Sequence, residues 1–332
     1  MPISSPAPPI ATLPLSPDRR PIAFGSGRRT PDMTRVAELL AYPLKSCDGV
    51  AVDRAAIGPE GALRGDRSYA LVEAGVDPER ASVGGGGGYV NGKSEPAVHG
   101  LRAEYDRAGP TDATPTAVTL SRPATERAPA DERTFALPEE GDALADWVGE
   151  YLGYAVDLVR DDAGGFPDDR AAHGPTVVSR ATLETVASWF DDVADATEMR
   201  RRLRPNVVLD DCPAFFEDRL FADHGEGVRV AVGDTELIGV NPCQRCVVPS
   251  RDPDTGAETE GFRERFVRKR RETLPEWTAS DRFDHDFRLM VNTVVEERSW
   301  GDVLAVGDEV TADGVVAVDE SGTPVAGADA AE

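Results

Sequence analysis

The sequence predicts a β-rich α+β protein with two domains. Three observations support this: short strand-like runs separated by Pro and Gly turns, a change to helical periodicity near Asp142, and a return to β-like patterns in the last third. A chain of 332 residues is long enough for each domain to bury its own core. We expect a small N-terminal β-domain followed by a β-rich domain with peripheral helices.

The first part of the chain has turn-rich segments between its strands. Residues 1–33 are rich in Pro, Ser, Gly and Arg, and we expect a disordered tail. The first strand begins at Thr34 and ends before Pro43. Further strands are predicted at 67–72, 101–105, 117–120 and 133–137. The glycine run from Val83 to Gly88 has no strand-and-helix context, so it predicts a loop and not a phosphate cradle.

Helical periodicity begins at Asp142. The apolar residues share one helical face: Leu144, Trp147, Val148, Tyr151 and Leu152. Ser179 is the predicted N-cap of a second helix. Two hairpins follow, at 228–240 and at 304–310, turning at Gly233-Asp234 and Gly307-Asp308. We therefore predict a tail at 1–33, an N-terminal domain at 34–160, a second domain at 161–312 and a flexible acidic tail at 313–332.

The charge balance excludes several classes of partner. The chain has 36 Lys and Arg against 60 Asp and Glu, a formal charge of -24. Such a surface repels nucleic acid and anionic membranes, and evenly spread acidity predicts a halophilic protein. Four cysteines in so long a chain do not form a secreted disulfide framework, and no apolar run reaches the roughly 20 residues of a membrane span. We expect a soluble, cytoplasmic protein.

The segment from Asn241 to Val248 contains two thiols and a guanidinium: Cys243, Arg245 and Cys246. Structural zinc needs four ligands, and the four histidines form no HxxxH pair. A thioredoxin-like site needs a helix after CxxC, whereas Val247, Val248 and Pro249 continue as extended chain. Two readings remain open at about equal weight: both cysteines are small buried hydrophobes, or a thiolate beside Arg245 binds a soft metal.

Five segments resemble one family in the same order. Cys246 precedes the turn Asp252-Pro-Asp-Thr-Gly256, which resembles the signature of MOSC domains. Leu203-Arg-Pro-Asn-Val-Val208 resembles their "RPN" strand, and Val306-Gly-Asp-Glu-Val310 their closing hairpin. Tyr42-Pro-Leu-Lys-Ser46 and Gly65-Asp-Arg67 resemble motifs of the N-terminal MOSC β-barrel domain. The resemblance spans roughly residues 35–312. It implies an N-terminal β-barrel domain and a C-terminal MOSC β-barrel with peripheral helices, here of a haloarchaeal kind.

The resemblance implies a site for a molybdenum cofactor. Such a ligand needs cationic and amide donors for its phosphate and pterin, together with one soft metal ligand. The implied cofactor-binding residues are Lys45, Ser46, Arg67, Arg204, Asn206, Arg245 and Asn292. The implied metal ligand and catalytic residue is Cys246, with Cys243 in a packing role. Taken singly, each has an ordinary structural role as a surface charge, turn residue, ion-pair partner or strand-edge amide.

Two departures from the family pattern concern this site. The family has an Asp and a small polar residue before its central helix, whereas this chain has Ala171-Ala-His-Gly-Pro-Thr176. The aromatic residue that contacts the cofactor near the closing hairpin has no counterpart either. The basic segment from Phe262 to Arg271 predicts a solvated helix face, or less readily a docking surface for an acidic redox partner.

The resemblance implies a molybdenum-dependent oxidoreductase of the amidoxime-reducing branch, acting on small N-hydroxylated substrates. The chain has neither a ferredoxin-type cysteine cluster nor CxxCH, so electrons must come from a separate donor protein of ferredoxin or cytochrome type. The alternatives are a persulfide carrier that uses Cys246 or Cys243, and a non-catalytic cofactor carrier.

Overall fold

The computed structural model describes residues 33–77, 88–169, 172–283, 285–319 and 321–325. Apart from Met33 and Gly88, the predicted N-terminal tail and the glycine run lie outside these ranges. So does the C-terminal end from residue 326.

The described residues form fifteen strands and four α-helices, which confirms the β-rich α+β class. The strands are β1 Arg35–Ala41, β2 Val50–Val52, β3 Arg54–Ala56, β4 Tyr69–Glu73, β5 Arg102–Gly109, β6 Asp112–Arg122, β7 Asp131–Ala136, β8 Val156–Arg160, β9 Val177–Ser179, β10 Val207–Asp210, β11 Glu226–Val232, β12 Thr235–Gln244, β13 Arg288–Val294, β14 Val303–Ala305 and β15 Val310–Ala317. The helices are α1 Gly141–Leu152, α2 Arg180–Ala187, α3 Ala196–Leu203 and α4 Phe262–Glu272. None of the helices among the described residues is long and apolar enough to cross a membrane.

The largest sheet has eight strands in the order β15-β11-β12-β13-β9-β10-β1-β2. The sheet also closes on itself, because the start of β15 and the turn before it contact β1, near the other end of the strand order. Gly307 N donates to Val36 O at 2.8 Å, and Val310 N donates to Thr34 O at 2.8 Å. Apolar residues at every second position explain strands such as β11, where Val228, Val230 and Val232 are buried in the core under the sheet. The sheet thus curls around one apolar core.

The N-terminal half adds a separate core around α1. This helix buries the five apolar residues that its periodicity predicted, and it packs beside the three-stranded sheet β5-β6-β7 and the pair β4-β8. The predicted N-cap of α2 is also confirmed, since Ser179 Oγ accepts from Thr182 N at 3.1 Å. Helices α2, α3 and α4 cover a third core against the large sheet.

The predicted hairpin at 304–310 is wrong in its pairing. Gly307 and Asp308 do form a turn, with Asp308 N donating to Ala305 O at 3.1 Å. The strands on either side then diverge: β14 pairs with β3, and β15 pairs with β11. A turn sequence fixes the local reversal of the chain but not which strand each arm joins. β15 also continues to Ala317, five residues past the predicted domain end at 312, because Glu226–Arg229 supply its partners.

Candidate functional site

A cavity of about 420 Å³ is lined by cationic, acidic, amide and thiol side chains. All eight residues that the resemblance implied line it: Lys45, Ser46, Arg67, Arg204, Asn206, Arg245, Cys246 and Asn292. They come from loops after β1, before β4, after α3 and after β12, and from β13. The fold therefore brings together in one cavity side chains that are up to 247 positions apart.

Two neighbouring loops position the first cations of the cavity. Lys45 N donates to Tyr69 O at 2.8 Å and Arg67 N donates to Tyr42 O at 2.9 Å, which ties the loop after β1 to the loop before β4. Gly65 permits this arrangement, because its φ is +84° and a Cβ there would lie 2.1 Å from Thr114 N. The backbone bonds thus fix Lys45 and Arg67 side by side.

Asp168 joins these two cations. Lys45 Nζ donates to Asp168 Oδ1 at 2.6 Å and to Phe166 O at 2.8 Å, while Arg67 Nε lies 3.5 Å from Asp168 Oδ2. Burial lowers the pKa of Lys45, against the attraction of Asp168. Desolvation acts to raise the pKa of Asp168, but the charges of Lys45 and Arg67 outweigh it and hold that pKa far below its usual range. The carboxylate is therefore ionised beside two cations.

Arg204 follows α3 in a left-handed conformation, with φ 58°. Its guanidinium lies 4.2 Å from the centre of the Tyr42 ring, and Nη1 donates to Cys47 O. Nη2 is buried and has no hydrogen-bond partner among the described residues. A buried N–H without an acceptor is costly, so this atom is available to a polar ligand in the cavity.

The two asparagines that the resemblance implied, Asn206 and Asn292, are largely engaged in hydrogen bonds with the protein. Asn206 Oδ1 accepts from Thr176 N and Oγ1, both at 3.2 Å, and Asn206 Nδ2 donates to Leu40 O at 3.0 Å. Asn292 Nδ2 donates to Asp169 Oδ2 and to Asn241 Oδ1, each at 3.0 Å. Asn206, directly before β10, thus connects that strand to Leu40 of β1. This is the structural role of a strand-edge amide that the sequence analysis named as the alternative to cofactor binding.

Arg245 holds the sulfur-bearing end of the cavity. Its backbone N donates to Phe287 O at 3.0 Å, and Nη2 donates to Leu203 O at 2.9 Å. Nη1 lies 3.1 Å from Cys243 Sγ and 3.6 Å from Met290 Sδ. Desolvation raises the pKa of Cys243 although Arg245 opposes the shift, so the arginine does not activate that thiol. Cys246 follows directly, where the chain leaves β12.

Sequence reasoning assigned no role to the acidic residues of the cavity, although Asp66 lies in the Gly65-Asp-Arg67 motif. Asp66, Asp168 and Asp169 line it, as do Lys93 and His173, whose Nδ1 lies 3.3 Å from Glu60 Oε2. The one available signal was the pair Asp168-Asp169, just upstream of the stretch where the family has its Asp. The stretch 172–176 lines the cavity in spite of its unusual sequence.

The lining suits a polar, anionic ligand that also has hydrogen-bond donors. Its described cations outnumber its carboxylates: Lys45, Arg67, Lys93, Arg204 and Arg245 against Asp66, Asp168 and Asp169. Two thiols lie in the same cavity, at Cys243 and Cys246. Across the described residues, no three His, Cys, Asp or Glu side chains are grouped to hold a metal ion.

Comparisons with known proteins agree with this architecture. Residues 33–155 match the MOSC N-terminal beta barrel domain, and residues 166–311 match the MOSC domain. Mitochondrial amidoxime-reducing component 1 from Homo sapiens is 27% identical over 256 residues, which cover 67% of each chain. Component 1 from Mus musculus is 28% identical over 257 residues, 69% of each chain. Component 2 from Bos taurus is 26% identical over 265 residues, 70% of each chain. The chain is therefore a two-domain MOSC protein, with an MOSC N-terminal β-barrel domain followed by an MOSC domain.

Proposed function

We propose that this chain binds a molybdenum cofactor in the cavity and reduces N–O bonds of small N-hydroxylated substrates. The MOSC domain and the distant relationship to amidoxime-reducing components support a role related to molybdenum cofactor. The observation that carries the proposal is the convergence of eight residues on one cavity of about 420 Å³, seven of which lie in or next to four separate motifs.

The residues of the cavity fit such a cofactor. Its phosphate needs cations, which Lys45, Arg67 and Arg204 supply, and Arg204 Nη2 lacks any partner among the described residues. A pterin ring carries N–H donors as well as acceptors, and the ionised Asp168 is an acceptor between two of those cations. Ser46 and Asn206 add further polar groups to the lining. A soft metal matches a thiolate, which we assign to Cys246.

The protein residues have distinct tasks in this proposal. Reduction of an N–O bond to N–H consumes two electrons and two protons and releases water. When bound, the cofactor supplies the two-electron redox chemistry. Arg245 fixes the cysteine loop through Leu203 O and Phe287 O, and Cys246 in this loop lines the cavity. Asn292, on the neighbouring strand β13, donates to Asp169 and Asn241 and so fixes the adjoining part of the lining. A separate electron-donor protein supplies the electrons.

The proposal is tested by expressing the full chain in a host that makes molybdenum cofactor. We expect stoichiometric molybdenum by metal analysis, and reduction of benzamidoxime with a chemical electron donor. Purification without molybdenum from this host would contradict cofactor binding. The matched control is the same protein from a cofactor-deficient host, which should fold but lack activity.

The presence of two thiols in one cavity keeps sulfur transfer as the second candidate. A persulfide carrier needs no molybdenum, and its Cys243 or Cys246 would yield a sulfane adduct visible by intact-protein mass spectrometry. A cofactor carrier would contain molybdenum but reduce no N-hydroxylated substrate. Metal content, adduct mass and turnover on one preparation therefore distinguish the three functions.

A further inference from the structure

Helix α4 is the main exception to the acidity of this protein. It has six basic residues and two acidic ones within Phe262–Glu272, in a chain with a formal charge of -24. One of the six has a purely internal role: Arg270 is fully buried in an ion pair with Asp218, and its guanidinium lies 4.5 Å from the Phe215 ring centre. The others reach toward solvent.

The exposed side of α4 is cationic around an apolar centre. Arg263, Val267 and Arg271 follow one another at helical spacing, and Arg268 lies beside them. Arg263 and Arg271 line a shallow groove of about 510 Å³ with Val267 and Phe283. The groove's described carboxylates are Glu264 and Asp286, and Asp286 accepts from Arg271 Nη2 at 2.6 Å. We name this surface the basic face and define it by Arg263, Val267, Arg268 and Arg271.

Two guanidinium groups of the basic face form no ion pair with a carboxylate of the described residues. Arg263 and Arg268 are exposed, and within the described part of the chain neither forms an ion pair. The guanidinium of Arg263 lies 5.6 Å from the Phe287 ring centre. An exposed charge without a counterion, beside partly buried apolar groups, is what a charge-complementary partner can use.

The basic face lies one packing layer from the sulfur-bearing end of the cavity. Phe287 packs edge-on against Phe266 of α4, with ring centres 5.1 Å apart, and Phe287 O accepts from Arg245 N at 3.0 Å. Arg245 directly precedes Cys246. Arg270 Nε also donates to Arg288 O at 3.4 Å, at the start of the strand that carries Met290 and Asn292 into the cavity.

We propose that the basic face is the docking surface for an electron-donor protein with an acidic surface. The inference rests on the proposed function, since only a reductase needs this partner. Each reduced donor releases one electron on oxidation of its iron centre, and two such deliveries with two protons reduce one N–O bond. Small, charge-guided interfaces suit a partner that must leave after each delivery.

The test uses the full holoprotein and a plant-type two-iron ferredoxin of net negative charge as the probe. Its Kd is measured by calorimetry at low and high salt for the wild type and for Arg263→Glu/Arg268→Glu. The matched control is Arg133→Glu, because Arg133 is also exposed and its guanidinium also lies against a phenylalanine ring, 4.9 Å from the centre of Phe135 on β7. Circular dichroism checks the fold of each variant.

We expect the double variant to weaken binding at least tenfold at low salt, with the difference shrinking at high salt as screening increases. The control should bind like the wild type. Benzamidoxime reduction should fall in the double variant with ferredoxin as donor and stay unchanged with a chemical reductant. Unchanged ferredoxin affinity in the double variant, or no measurable affinity in the wild type, overturns the docking surface. Failure with the chemical reductant in the wild type instead contradicts the proposed function.

Discussion

Lys45 and Asp168, 123 residues apart in sequence, form a 2.6 Å ion pair inside the cavity, and the lysine is 97% shielded from solvent. Asp168→Asn keeps an oxygen that can accept from the ammonium, but it removes the negative charge that pairs with Lys45 and Arg67. Because about half of the Asp168 side chain is exposed, we expect a loss of only about 1–2 kcal/mol in the free energy of unfolding at pH 7.

This loss should depend on pH in a defined direction. The folded-state pKa of Asp168 is depressed, so its contribution is complete above the unfolded pKa of about 3.9 and declines as the pH falls below it. Urea unfolding of wild type and Asp168→Asn should therefore converge toward acid pH. Asp162→Asn is the control, because its pair with Arg160 is exposed and should contribute little. Equal stability of wild type and Asp168→Asn at pH 7 would contradict the role of the pair.

The two cysteines of the cavity should respond differently to serine. A hydroxyl is a harder ligand than a thiolate, so Cys246→Ser should keep the fold but lose benzamidoxime reduction. Cys243→Ser should keep substantial activity, since Cys243 contacts Arg245 and has a raised pKa. Activity is assayed with a chemical donor, alongside molybdenum content. Loss of activity in Cys243→Ser alone would reverse the assignment of the metal ligand.

Arg204 should contribute to the affinity of the protein for the anionic cofactor. Arg204→Met removes the partnerless Nη2 and its charge but keeps an unbranched side chain at the same left-handed position. A charge-assisted hydrogen bond contributes about 1.5–3 kcal/mol, so cofactor retention through dialysis should fall at least about tenfold. Lys45→Met and Arg67→Met should act in the same direction. Arg201→Met is the control, because Arg201 lies on α3 just before Arg204 and pairs with the exposed Asp254. Wild-type cofactor content in all three cavity variants would refute the assignment.

Glu217 should make stability fall as the pH rises toward neutrality. It is fully buried; Oε2 accepts from Ser179 N at 3.2 Å and from Thr182 Oγ1 at 3.1 Å, and Oε1 has no partner within the described ranges. Burial, with the neighbouring Asp218, raises its pKa from 4.5 to about 7. The charged form is therefore disfavoured in the fold, and stability is lost as the pH rises from 4.5 to 7.

The expected loss is on the order of 3 kcal/mol, because each pKa unit corresponds to about 1.4 kcal/mol. Urea unfolding at pH 5 and pH 8 should show this decrease in the wild type, and Glu217→Gln should lack it. The exposed Glu264→Gln should behave like the wild type. A Glu217→Gln variant with the same pH dependence as the wild type would show that another group titrates.

The strands and helices that sequence predicts best are those with strong periodicity. The apolar face of α1 and the N-cap of α2 are encoded locally, and both are confirmed. Helix α3 was missed because its sequence is mostly charged and only Met199, Arg202 and Leu203 are buried. The pairing of β14 with β3 joins residues some 250 positions apart, which a turn sequence does not specify.

The candidate site likewise has residues that the sequence identified and residues that only the fold brings into the cavity. The residues within motifs were identifiable from the resemblance, and the fold places all eight in one cavity. Asp168 was not, because its importance comes from two cations more than 100 positions away. The contact of Arg245 Nη1 with Cys243 Sγ is local, but spacing alone did not show which of the two thiols the guanidinium reaches.

The position of β1 limits how this architecture can be divided or recombined. This strand lies in the range of the N-terminal domain match, yet it pairs with β10 of the MOSC match on one edge and with β2 on the other. A gene cut in the linker between the two matches would leave Val207–Leu209 with an unpaired edge, which is prone to aggregation. An exchange of the first segment would therefore have to supply a strand that pairs with Val207–Leu209 in the place of β1.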